Sequence, residues 1–133
     1  MPLAITAITA AVLAMLLLGL AIETVWHRFR LGAAFGDADD ASLIGAMRSH
    51  GNLAEHAPIV LIMLGLLEYG GANTELVAGI AGAFVVSRFA HVLGLHQKAE
   101  PGKPPLARTI GVVGTWLVLL ALAGLLLAGA LTG

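Results

Sequence analysis

Arg48, Asn52 and Glu55 follow one another at spacings of four and three residues within the stretch RSHGNLAEHAP, Arg48–Pro58. On a helix such spacings stack side chains on one narrow face, turn upon turn. That face carries a guanidinium, an amide and a carboxylate. His56 borders it, while His50 points away. The chemistry suited to such a set is capture of an anionic ligand, because arginine binds carboxylates bidentately and cannot be neutralised. The stretch runs straight into the apolar segment Ile59–Leu67. Ionisable groups carried into a membrane are expensive and by default mark a functional site. The plainer alternative is an ion pair or cap that only glues helices together.

Two further groups of polar residues could complete such a site. Ser87-Arg88-Phe89-Ala90-His91 lies near the end of a third apolar segment, and Arg108-Thr109 opens a fourth. Counting back from the membrane boundary at about 1.5 Å per residue puts Glu55 and Arg88 both about 10 Å deep. A buried unpaired charge is costly, so these two are expected to pair. Arg48 and Arg108 are left without an obvious internal carboxylate, which again suits an anionic ligand. Arg28 and Arg30 are expected to snorkel to lipid headgroups. No metal site is expected, since His91/His96 and His50/His56 miss the spacing that puts two ligands on one helical face. Phosphate loops, nucleotide fingerprints and serine elbows are absent.

The elements that must position these groups follow from composition. The chain has 133 residues, 59% hydrophobic and only 11% charged, where a soluble domain carries about 25% charged residues. This is the profile of an integral membrane protein, and the length allows a single domain, 1–133. A net charge of −1 argues against a nucleic-acid partner. With no cysteine, any thiol chemistry must come from a substrate.

The expected fold is all-α: four membrane helices at about 2–25, 42–67, 75–95 and 106–131. Pro2–Ile22 is uncharged and long enough for a hydrocarbon core that needs about 20 residues. It lacks the Lys or Arg that precedes a signal-peptide core. Trp26, His27, Arg28 and Arg30 then read as its interfacial border. Asp37, Asp39 and Asp40 offer caps for the second helix, and Asn73 or Thr74 for the third. Pro58 is expected to bend the second helix, and Gly79 and Gly82 to permit close approach by the third. The seven Lys and Arg residues gather at one side, in or beside the two long connections, Lys98 and Lys103 among them. By the positive-inside tendency those connections face the cytoplasm and both termini lie outside.

At this point the chain resembles a known family. Arg48-x-x-x-Asn52-x-x-Glu55-His56-x-Pro58 is similar to the second-helix motif of MAPEG, the membrane-associated proteins in eicosanoid and glutathione metabolism. Ser87-Arg88 with His91 resembles that family's third-helix segment, and Arg108-Thr109 its Arg-Ser pair opening helix four. His56 and the short loops look most like the bacterial branch.

The resemblance implies a MAPEG-like four-helix bundle assembling as a homotrimer in the lipid bilayer, a multi-pass protein of the bacterial inner membrane. It implies glutathione as cosubstrate, held between subunits toward the cytoplasmic side by Arg48, Asn52, Glu55, His56, Arg88 and His91. Arg88 would support Glu55. Arg108 would come from a neighbouring subunit and stabilise the thiolate, with Thr109 beside it. A cation next to a thiol lowers its pKa and raises its nucleophilic fraction. Lipophilic small molecules would then arrive through the lipid as electrophiles.

The chain departs from the family where members often carry helix-three tyrosines, here His91 and Leu95. Its tyrosine, Tyr69, lies at the opposite membrane face. Two functions therefore compete. One is a glutathione S-transferase type enzyme, transferase or peroxidase, favoured by Arg108-Thr109. The other is a noncatalytic membrane protein binding a lipid or other anion, favoured by the missing tyrosines. A small transporter ranks last, because the outer half is almost wholly apolar.

Overall fold

The structure, a computed structural model, describes residues 1–97 and 102–132, so Lys98 of the basic connection and Gly133 lie outside the described residues. It contains α1 (Ala4–Leu31), α2 (Ala41–Tyr69), α3 (Thr74–Leu95) and α4 (Leu106–Thr132). All four are long and apolar enough to cross a membrane.

Their ends follow from local chemistry. α1 continues past the expected end near 25, through Trp26–Arg30, because nothing in that border breaks a helix. Gly32 stops it in the left-handed conformation, at φ 65°. The Gly32 and Ala33 amides then donate back to the Phe29 and Arg28 carbonyls at 3.3 and 3.0 Å, closing the last turn. Asp40 caps α2, its carboxylate accepting from the Leu43 amide at 2.9 Å, and Asn73 caps α3 through the Leu76 amide at 2.9 Å. α2 runs unbroken through Pro58.

The start of α1 has no local cap, since Leu3 offers no side-chain acceptor. Glu68, from the last turn of α2, supplies it. Its carboxylate accepts from the Ile5 amide at 2.9 Å, the Thr6 amide at 2.8 Å and the Thr6 hydroxyl at 2.7 Å. An anion at a helix N-terminus also complements the macrodipole. Glu68→Ala should therefore cost about 1 kcal/mol, a typical capping loss. Reversible unfolding in mixed detergent micelles would measure it; an unchanged midpoint would refute the cap.

Inside the bundle, Leu13 and Leu20 of α1 meet Leu53, Val60 and Leu64 of α2, Phe84 of α3, and Val118 and Leu122 of α4. Large apolar side chains such as Ile8, Met15, Ile62, Val86 and Leu120 are exposed on the outside, as lipid contact requires. The closest helix approach is not at Gly79 and Gly82, where an added Cβ would meet open space. It runs instead along a seam between α3 and α4. Gly94 presses on the Arg108 backbone, Gly111 on the His91 backbone and Gly114 on the Ser87 side chain. Two of the candidate site residues, His91 and Arg108, are thus seated by this seam.

Candidate functional site

The seam, and α2 beside it, enclose a cavity of about 310 Å³. α2 contributes Arg48, Asn52 and Glu55, one helical face as their spacing requires, with Met47 and Gly51 between them. α3 adds His91 and Leu95, and α4 adds Arg108 and Val112. Five of the residues proposed from sequence are therefore brought together. Arg48 and Glu55 are exposed at the rim, Asn52 and Arg108 half-buried, and His91 is buried.

Three others sit elsewhere. His56 does not line the cavity; its ring Nδ1 lies 2.8 Å from the Asn52 carbonyl oxygen and is held by its own helix. Thr109 faces away with the next arc of α4, lining a separate cavity of about 570 Å³ with Lys103 and Trp116. Arg108 borders both cavities. Arg88 lies beneath the first, only 2% exposed.

The expected Glu55–Arg88 ion pair does not form. Arg88 donates instead to the Asn52 side-chain oxygen, to the Gly111 carbonyl at 2.9 Å and to the Thr115 hydroxyl. Its guanidinium carbon also stands 5.6 Å from the Phe84 ring centroid, at cation–π distance. Matched depth placed the two residues in one layer, but neutral acceptors on α2 and α4 lie nearer the guanidinium. Glu55 makes no ion pair among the described residues and faces the cavity at its rim with two arginines. Arg108 lines this cavity within its own chain.

Sequence reasoning passed over Thr115, although it lies on the face of α4 that Arg108 occupies, two turns on. Its hydroxyl donates to the Gly111 carbonyl at 2.8 Å while accepting from Arg88. Arg28, expected to snorkel to headgroups, finds its partners within the chain instead. Its guanidinium approaches the Ala33 and Ala34 carbonyls at 3.4 and 3.3 Å and the Met47 sulfur at 3.5 Å, tying the first connection to α2. Arg30 stays exposed and stacks over Trp26 at 5.1 Å.

A second polar tie lies near the cavity, next to Leu95. His96 Nε2 meets Glu23 Oε1 at 2.9 Å, and its Nδ1 lies 2.7 Å from the Val92 carbonyl. Partial burial disfavours the imidazolium, but the Val92 carbonyl and the Glu23 carboxylate outweigh it and hold the pKa above its ordinary value. With both nitrogens facing acceptors, the ring fastens α3 to α1. His27, buried nearby, stands 3.9 Å from the same carboxylate.

The comparisons bear on what such a site is for. The model of the MAPEG family matches residues 6–128. Inner membrane protein YecN of Escherichia coli strain K12 is 30% identical over 123 residues, covering 91% of this chain and 90% of YecN. The YecN of an O6:H1 strain of the same species matches equally. No solved structure gives a significant match.

Proposed function

The chain belongs to the MAPEG family, and from that membership and its cavity we propose that it is a glutathione-dependent transferase or peroxidase acting on lipophilic electrophiles. It works as a multi-pass protein of the bacterial inner membrane, as the name of its relative YecN suggests. Glutathione is the cosubstrate, on the side of the basic connections, which faces the cytoplasm and leaves both termini outside.

The observation that carries this reading is the composition of one small cavity. Two guanidiniums, an amide and one carboxylate face it from α2 and α4, in a chain only 11% charged. Glutathione presents the complementary set: two carboxylates, an ammonium, peptide groups and a thiol. Arg48 grips a carboxylate, Glu55 takes the ammonium, and Arg108 stands where a thiolate would gain most from a cation. Arg48 and Glu55 are exposed on a single chain, and a neighbouring copy in a homotrimer would cover that rim.

A detergent-purified sample with glutathione and an aryl halide should form the thioether at a rate above the uncatalysed one. Absence of both turnover and glutathione binding would overturn the reading. One observation favours the noncatalytic alternative, an anion or lipid binder. Thr109 is turned from the cavity, and Leu95 brings no hydroxyl to it, so no hydroxyl in the described lining would meet the sulfur. Binding of glutathione without turnover would select it.

A further inference from the structure

Among the described residues Arg88 is the most deeply buried charge, and it faces no carboxylate. Its partners are neutral oxygens from α2 and α4, while its Nε has none. The bond to Asn52 has a consequence for the cavity. An asparagine amide has an acceptor end and a donor end, and either can face a given neighbour. Arginine has only donors. Whatever faces the Arg88 Nη1 must therefore be the Asn52 oxygen, as it is. The NH₂ end is then turned from Arg88, and Asn52 is one of the residues lining the cavity.

The geometry points to Arg88 as a positioning residue that locks Asn52 with its N–H donors toward the cavity, so this position reads an acceptor group of the ligand. A carboxylate or peptide carbonyl fits there; an ammonium does not. Glu55 is then the one carboxylate in the lining able to receive a ligand ammonium. The lock is built for rigidity. Arg88 is held on its far side by Gly111 and Thr115, which are themselves bonded to each other, so the guanidinium cannot swing away without leaving its own buried N–H donors unpaired.

The ligand half of this inference rests on glutathione as occupant; the orientation half does not. Asn52→Asp separates them. Aspartate has nearly the same shape and keeps an oxygen on Arg88, but it replaces the cavity-facing NH₂ by a second acceptor. The variant should unfold in detergent at or above the wild-type temperature, whereas Asn52→Leu should unfold lower. It should nevertheless bind glutathione about tenfold more weakly or worse, since a hydrogen bond to a charged group becomes a repulsion. Arg88→Lys, still a pure donor, should retain binding that Arg88→Met loses at equal folded fraction.

The outcomes divide cleanly. If Asn52→Asp destabilises as much as Asn52→Leu, the orientation is wrong, with no ligand involved. If it binds glutathione as well as wild type does, the donor role is wrong. A wild type that binds no glutathione overturns the proposed function and the ligand half together, while the unfolding comparison still decides the orientation.

Discussion

Gly111→Val is expected to break the packing of α3 on α4 and to remove the site with it. An added Cβ at Gly111 would stand 2.5 Å from the His91 amide nitrogen and 2.6 Å from its Cα and Cβ. The nitrogen and Cα are backbone atoms of a neighbouring helix and the Cβ is fixed to them, so none can rotate aside as the rest of a side chain can. The helices must separate, and valine demands more room than alanine. Overpacking a tight core costs about 1–3 kcal/mol when side chains can adjust. A backbone obstruction belongs at or beyond the upper end of that range. Because the obstructed residue is His91, the cavity wall moves with the seam. Gly79→Ala and Gly82→Ala supply the control: they meet open space on exposed faces of α3, and alanine gains up to about 1 kcal/mol of helix propensity. The measurement is the folded fraction after detergent extraction, with thermal unfolding of what survives. A Gly111→Val protein as stable as the two controls would show that the seam is not a close contact.

Arg108→Ala should lower turnover about a hundredfold or more, the usual loss when a preorganised charge at a reacting atom is deleted. Glutathione affinity should stay within several-fold. The motive is a half-buried cation that faces the cavity and makes no ion pair among the described residues. It also stands in the first turn of α4, where the helix terminus itself favours an anion. The substitution is structurally clean, because the contact with Gly94 is made mainly by the Arg108 backbone and β-carbon, which alanine keeps. Arg48→Ala should do the reverse and weaken binding first, since its role is to hold a ligand carboxylate. Steady-state kinetics with glutathione varied would separate the two. The ultraviolet absorbance of bound thiolate gives a second check: it should vanish in the Arg108 variant near neutral pH. Its survival there would mean that another group ionises the thiol.

The helix face bearing Arg48, Asn52 and Glu55 was legible because helical spacing is a local property, and so were the Asp40 and Asn73 caps. What sequence could not supply was rotation about the helix axes. Depth along the membrane normal put Glu55 and Arg88 in one layer. Which acceptor Arg88 meets depends on how α3 is turned, and it is turned toward Asn52 and Thr115. The same blindness favoured Gly79 and Gly82 over Gly94, Gly111 and Gly114, since a glycine carries no mark of the face its neighbour will take. Thr109 and Arg108 are adjacent in sequence, yet only Arg108 reaches the first cavity, for that reason. Glu68 was unreadable as a cap because its partners, Ile5 and Thr6, stand 63 and 62 residues away along the chain.

The way Arg88 is held also bears on how the chain reaches the bilayer. Two of its three acceptors, the Gly111 carbonyl and the Thr115 hydroxyl, belong to α4. A hairpin of α3 and α4 therefore carries most of the solvation its buried cation needs before it meets the rest of the protein. The hairpin of α1 and α2 is likewise self-sufficient, because Glu68 completes the start of α1 from within it. Each half carries part of its own polar bonding, the Glu68 cap in the first and two of the Arg88 acceptors in the second. The Asn52 amide and the Glu23 carboxylate are polar points at which the second half meets the first. Insertion and completion of the cavity are thus separable, since the cavity lining comes from both halves.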